Sequence, residues 1–322
     1  MDIKNKQPLV TILITNYNHG NYLAEAIESA LKQTYSYIEI IVIDDGSTDN
    51  SLSVIERFKG KIITITKENG GQASAINTGF DNCHGDIICL LDADDIWLPH
   101  KVENIVKAFT DKDELVSIVY HQVQNINQTG EPQDKLLPRY KPVKGKITRQ
   151  VVKAGGWFPF PPSTALSFSR DFLSWVMNIP EMQFKTYADA YLGGLAPFFG
   201  EVVGIDEVLS YYRYPVDKNH NYSALSKNAK ETQKILQEYE LREQVLNATM
   251  RNLGLKTKFS LTNNLPYQLL RYKLGLPINL ISLSLLVLQN PWELRFFSKV
   301  KFAFALWAKN LTALDEYGQK IP

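Results

Sequence analysis

The stretch that most limits what this chain can become is Ile87-Ile88-Cys89-Leu90-Leu91-Asp92-Ala93-Asp94-Asp95-Ile96-Trp97-Leu98-Pro99. Five apolar residues in a row, followed at once by three carboxylates in four positions, read as a fully buried strand with negative charge at its C-terminal tip. In open α/β sheets, ligands bind beyond such tips. Carboxylates this close raise one another's pKa unless a cation lies between them. Oxygen-only ligands suit a hard ion, Mg2+ or Mn2+, that also takes phosphate oxygens of a substrate. A plainer role stands beside this one, in which Asp94 and Asp95 cap a helix starting near Pro99 and Asp92 is merely solvated.

The pattern recurs upstream. Leu9 to Thr15 is a short β-branched strand ending in the polar turn Thr15-Asn16-Tyr17-Asn18-His19-Gly20, and Tyr22, Leu23, Ala26, Ile27, Ala30 and Leu31 then recur at helical spacing. Ile38 to Ile43 runs into Asp44-Asp45-Gly46-Ser47-Thr48-Asp49 ahead of a helix around Leu52 to Phe58. Carboxylates there can accept from a nucleobase N–H or from ribose hydroxyls; they also suit turns and helix caps. A third strand, Ile62 to Ile65, leads to Gly70-Gly71 and a small-residue helix. Paired glycines let backbone approach a ligand, and a helix N-terminus favours a diphosphate, although a tight turn would use the same residues. No Gly-Lys-Ser/Thr and no G-x-G-x-x-G is present there. Val102, Ile105, Val106 and Phe109 mark a further helix, and Leu115 to Tyr120 a further strand.

Four of these segments, Ile12-Leu13-Ile14-Thr15-Asn16-Tyr17-Asn18, Val42 to Asp49, Asn69-Gly70-Gly71 with Asn77-x-Gly79, and Leu91 to Trp97 with Pro99, stand in order and spacing that resemble the family-two glycosyltransferases. The resemblance implies a GT-A fold, a Rossmann-like mixed α/β sheet with flanking helices, spanning residues 1–225 as the catalytic domain. It implies an inverting, metal-dependent, hexosyltransferase-like transfer from a UDP- or GDP-linked sugar to a glycan or lipid-linked acceptor, in cell-surface polysaccharide synthesis. Thr15, Tyr17 and Asn18 would contact the nucleoside, Asp44 or Asp45 the base, and Asp92 the ribose side. Gly71, Asn77 and Ala93 would join the donor site, and Asp94, as part of a DxD motif, the metal and diphosphate. Relatives often carry Arg where this chain has Ile76. The resemblance also calls for a carboxylate base, and Asp189 in Thr186-Tyr187-Ala188-Asp189-Ala190-Tyr191 matches the second position of an acidic pair whose first is here Ala188; Glu181 is the reserve. Asp189 also fits an acid favoured by the dipole of a helix start. Leu209 to Arg213 resembles a Tyr-Arg segment that often supplies a metal-binding His, and His220 is the nearest candidate, or else a surface-loop histidine. Two other readings are weighed: a silent nucleotide-sugar binder, and a sugar nucleotidyltransferase, whose Lys/Arg-bearing glycine loop after the first strand is missing.

The rest of the chain is less specific. Gln122 to Lys146 is polar without periodicity and reads as a long loop, near the acceptor or merely on the surface. Gly155 to Pro162 sets Trp157, Phe158 and Phe160 among prolines, as a sugar-stacking wall or as core. Net charge is +1, yet Arg251 to Lys309 holds nine Lys or Arg and one acid, Glu293. No nucleic-acid partner is expected. In the helical region 226–322, Phe296, Val300, Phe304 and Trp307 recur at helical spacing beside Arg295, Lys299 and Lys301, as a membrane-surface helix or one docked on the catalytic domain. The two cysteines, six residues apart, read as reduced core residues. With no signal-peptide core and no membrane-spanning run, the expectation is a cytoplasmic protein, with peripheral attachment to the inner membrane face left open.

Overall fold

The structure, a computed structural model, describes residues 7–214, 228–292 and 296–307. The chain divides into two compact units, Met1–Ile147 with Phe160–Pro215, and Thr148–Pro159 with Val216–Pro322.

The first unit is built on one mixed sheet. Its strands are β1 (Val10–Asn16), β2 (Ile38–Asp44), β3 (Ile63–Thr66), β4 (Ile87–Asp92), β5 (Ile96–Trp97), β6 (Val116–Ile126), β7 (Pro132–Leu137), β8 (Lys144–Gly145), β9 (Leu166–Ser169) and β10 (Glu201–Arg213). They lie in the order β3-β2-β1-β4-β9-β6-β10-β5, with β7 on β6 and β8 on β10. β3, β2, β1 and β4 run parallel, and β9 enters antiparallel between β4 and β6. Helices α1 (Gly20–Leu31), α2 (Ser51–Glu56), α3 (Gln72–Asp81) and α4 (Lys101–Thr110) follow the first strands.

The central strands read as unbroken apolar runs because both faces are covered. Val10, Ile12 and Ile14 of β1 and Ile87, Cys89 and Leu91 of β4 pack with Leu23, Ala26 and Ile27 of α1 and Val102, Ile105 and Phe109 of α4. On the other face α3 comes so close that a Cβ on Gly79 would stand 2.3 Å from Leu13 Cδ1. That contact explains the glycine in Asn77-x-Gly79. Cys83 and Cys89 are both free and buried.

The expected loop from Gln122 is partly sheet. β6 continues to Ile126 because β10 pairs with it as far as Arg213, and β7 folds back on it. Main-chain pairing between distant strands extends β6 past the point where side-chain periodicity stops.

In the second unit, α5 (Thr148–Lys153) precedes Phe158, which is buried against Trp292 at 6.4 Å between ring centroids, so this ring is core. Helices α6 (Arg170–Val176) and α7 (Ala188–Leu195) belong to the first unit; α8 (Ala229–Asn252), α9 (Leu265–Lys273), α10 (Leu280–Gln289) and α11 (Phe296–Trp307) belong to the second. Leu265, Leu269, Leu283, Val287, Phe302 and Leu306 form the core among α9, α10 and α11. Asn228, Asn264 and Asn279 cap α8, α9 and α10 through their side-chain oxygens. No helix among the described residues is long and apolar enough to cross a membrane.

Candidate functional site

Parallel register brings three strand ends level: Asn16 of β1 pairs with Asp44 of β2, and Thr15 with Asp92 of β4. At this edge lies a cleft of about 510 Å3, lined by Thr15, Tyr17, His19, Asp45, Gly71, Asp92, Ala93 and Asp94 among others. Of the residues expected from sequence, Thr15, Tyr17, Asp45, Gly71, Asp92, Ala93 and Asp94 therefore share one hollow.

Asn18, Asp44 and Asn77 are outside the lining set and act as braces. Asp44 accepts from Asn16 Nδ2 at 2.7 Å and from Ser47 N at 2.9 Å, closing the turn after β2. Asn18, in the left-handed region at φ 58°, accepts from Thr48 N at 2.7 Å and so ties the β1 and β2 loops together. Asn77 both donates to Ile179 O at 3.0 Å and accepts from Ile179 N at 2.8 Å, fastening that segment to α3. Its Nδ2 also reaches Glu181 at 3.2 Å.

Asp45 lies on the wall and also organises it. Its carboxylate accepts from Gly70 N (3.0 Å), Gly71 N (2.6 Å) and Lys67 Nζ (2.8 Å). The paired glycines thus wrap an internal carboxylate.

The acids after β4 differ in task. Asp95 is fully buried and accepts from Arg213 N at 2.7 Å, while Arg213 Nε donates to Asp94 O at 2.8 Å. Helix α4 is preceded by His100 and has no side-chain cap, so the alternative in which Asp94 and Asp95 cap it is excluded. Burial, then Asp94 and Asp92, push the Asp95 carboxyl well above the usual carboxylate range. Asp92 accepts from Gln72 Nε2 at 3.4 Å and from the Ser163 hydroxyl. Its carboxyl is pushed up to about 7, by burial first, then by Asp94, with a further rise from Asp189. Burial raises Asp94 too, against the pull of His19, whose Nδ1 is 4.0 Å away, and of Arg213.

Asp189 is the second residue of α7, and its Oδ1 accepts from Ala190 N at 2.9 Å. It is outside the lining set, yet its charge reaches Asp92, and Lys185 and Thr186 just before it do line the cleft. His220 lies outside the described residues.

Asp92 and Asp94 fit a hard divalent cation, since their crowded carboxylates are the groups whose shifted pKa values such an ion would relieve. Among the described residues no cluster of three or more His, Cys, Asp or Glu is placed to hold a metal.

Sequence reasoning assigned no role to Asn16, His19, Asn69, Gln72, Ala75, Lys185 and Thr186, which line the cleft, or to Ser163, which donates to Asp92. Gln72 had a signal, as the first side chain after the paired glycines. It accepts from Ala188 N at 3.2 Å and donates to Asp92, so it links α7 to the tip of β4. Ser163 and Lys185 had none, because only the insertion of β9 and the packing of α7 bring them near.

Residues 11–173 match the family model described as Glycosyl transferase family 2. An uncharacterized glycosyltransferase of Nostoc sp. is 33% identical over 267 residues, 82% of each chain. S. aureus TarS 1–349 in complex with UDP is similar in fold, with a TM-score of 0.52 at 16% identity over 96% of this chain and 89% of that one. The mannosyltransferase PcManGT from Pyrobaculum calidifontis, in complex with GDP-Man and Mn2+, has a TM-score of 0.52 at 18% identity over 96% and 88%. At such identities these two speak for the fold alone, which is GT-A. The family match opens on β1 and closes within α6, taking in every strand tip around the cleft, and this chain belongs to glycosyltransferase family 2.

Proposed function

We propose that the cleft holds a UDP- or GDP-linked sugar and that the enzyme transfers the sugar, with inversion, to a hydroxyl of a glycan or lipid-linked acceptor in cell-surface polysaccharide synthesis. The observation that carries this reading is geometric: parallel register levels the tips of β1, β2 and β4, so that Thr15, Asp45, Gly71, Asp92 and Asp94 line one cleft, and Lys185 and Thr186, just before Asp189, line it too. The fold neighbours hold UDP in one case and GDP-Man with Mn2+ in the other, which fits a nucleotide-sugar site here.

Thr15, Tyr17 and the loop braced by Asn18 and Asp44 would take the nucleoside, Asp45 the base, and Asp92 the ribose. Gly71, whose Cβ position is taken up by the Lys185 stem, would line the donor side of the cleft, with Asn77 and Ala93 shaping the wall. Asp94 would hold Mg2+ or Mn2+, which when bound supplies positive charge to the leaving diphosphate. Asp189 takes the proton of the acceptor hydroxyl; the new C–O bond forms at the anomeric carbon as the bond to the diphosphate oxygen breaks and its electron pair leaves with the diphosphate. Residues 1–225 would act as the catalytic domain and 226–322 as a helical appendage.

A panel of nucleotide sugars with Mn2+ should include one that raises the melting temperature, since a ligand specific to the native state stabilises it. Asp189→Asn should keep that stabilisation and lose transfer. Normal turnover in this variant would remove Asp189 from the base role.

The appendage fits attachment to an anionic membrane surface at the cytoplasmic face. Helix α10 buries Leu283 and Val287 and leaves Ile281 (61%), Leu285 (48%) and Leu288 (38%) exposed on its other side. Lys299 Nζ donates to Leu288 O at 3.2 Å, setting a cation at the edge of this stripe, and Phe304 is 71% exposed. Apolar side chains rimmed by lysine suit the headgroup boundary.

A further inference from the structure

The charges lining the cleft do not match the ligand assigned to it. Asp45, Asp92 and Asp94 bring three carboxylates, whereas a donor diphosphate is itself an anion. His19 and Lys185 are the lining residues able to carry positive charge. His19 already lies 4.0 Å from Asp94. Lys67 sits nearby, but its ammonium is held by Asp45 at 2.8 Å and by Glu68 O at 2.6 Å. Helix α3 offers no cation of its own, for its sequence QASAINTGFD contains no Lys or Arg. Lys185 is exposed and makes no ion pair among the described residues.

The position of Lys185 is built. Gly71 has φ +90°, a backbone conformation that glycine adopts without strain. A Cβ there would stand 2.4 Å from Lys185 Cγ and 2.6 Å from Lys185 O, so the lysine stem occupies the space that any larger residue would fill. Gln72 N donates to Lys185 O at 2.7 Å, pinning the lysine backbone at the start of α3. The stem is thereby laid over the N-terminus of a ten-residue helix, whose dipole also favours an anion.

Resting on the donor reading above, we propose that Lys185 is the protein's own cation for the donor diphosphate. The contact is a charge-assisted hydrogen bond from the ammonium to phosphate oxygens, in addition to whatever ion Asp94 holds. It falls on the diphosphate and leaves the nucleoside contacts unchanged.

The test compares wild type, Lys185→Met, which keeps the stem over Gly71, and Lys185→Arg. Calorimetry gives the affinity of each for UDP, GDP, UMP and GMP, with Mn2+ and with EDTA. Lys185→Met should weaken the preferred diphosphate about 10- to 100-fold in both conditions, the range for a hydrogen bond to a charged group. It should change the matching monophosphate much less, and Lys185→Arg should recover most of the loss. Binding of the diphosphate by Lys185→Met within twofold of wild type overturns the assignment while leaving the donor reading intact. A wild-type protein that binds none of the four nucleotides overturns both.

Discussion

Lys101 opens α4 just beyond the acidic turn, and it is fully buried with its ammonium 3.3 Å from the centroid of the Trp97 ring. Its Nζ has no hydrogen-bond partner among the described residues. Burial pulls its pKa from 10.5 down to about 8. A shift of that size corresponds to ~3 kcal/mol against keeping the charge in the folded protein. The aromatic face offsets about 1–2 kcal/mol of this. The net cost of the charge at neutral pH is then about 1–2 kcal/mol. Lys101→Met keeps the stem and removes the charge, so at pH 7 it should be more stable by about that amount. The sign with pH follows from proton binding. Between the folded and unfolded pKa values the unfolded chain binds more protons, so wild-type stability attributable to this group rises as pH climbs toward 10.5, from a lower edge that burial sets at about 8 and the Trp97 ring moves up. The advantage of Lys101→Met should therefore shrink over that window. Urea unfolding of both proteins at pH 7, 8.5 and 10, followed by circular dichroism, gives the difference directly, and other titrating groups largely cancel. A variant no more stable than wild type at pH 7, with a difference that does not change with pH, would refute the reasoning.

Asp92→Asn should stabilise the ligand-free protein above pH 7 by up to about 4 kcal/mol, because the raised carboxyl resists ionisation. The gain should fade as pH falls from 7 toward 4, where wild-type Asp92 is itself protonated in the fold, and donor affinity should drop; thermal melting across pH checks both. Gly71→Ala forces a side chain into Lys185 at φ +90°, whereas Gly60→Ala meets nothing within 4 Å at φ +79°. Both should pay roughly 1–2 kcal/mol for the backbone, but only Gly71→Ala should also lose nucleotide binding, and equal binding losses would deny the packing argument. Leu285→Glu with Phe304→Glu should abolish co-sedimentation with anionic vesicles while leaving the melting temperature within a few degrees; unchanged sedimentation would make the stripe a structural face only.

Much of the site was legible because its carriers are local. An apolar run stopping at a polar cluster marks a strand tip, and parallel register then aligns successive tips without further information. Thus Thr15, Asp45, Gly71, Asp92 and Asp94 share one cleft as the sequence suggested. Tasks within the cluster were less legible. Asp95 resembles Asp94 in sequence yet binds the main chain of Arg213, 118 residues away, and Asn77 braces Ile179 from 102 residues away.

By itself, the sequence determined the α/β order, the covered sheet faces and the acidic edge, because alternation of apolar runs and turn residues is a short-range property of the chain. Tertiary structure alone decided that β9 enters between β4 and β6, that Ser163 meets Asp92, and that Lys185 lies across Gly71. Those depend on which distant strands and helices bury each other's surfaces, and no local pattern encodes a partner that the chain reaches only by folding.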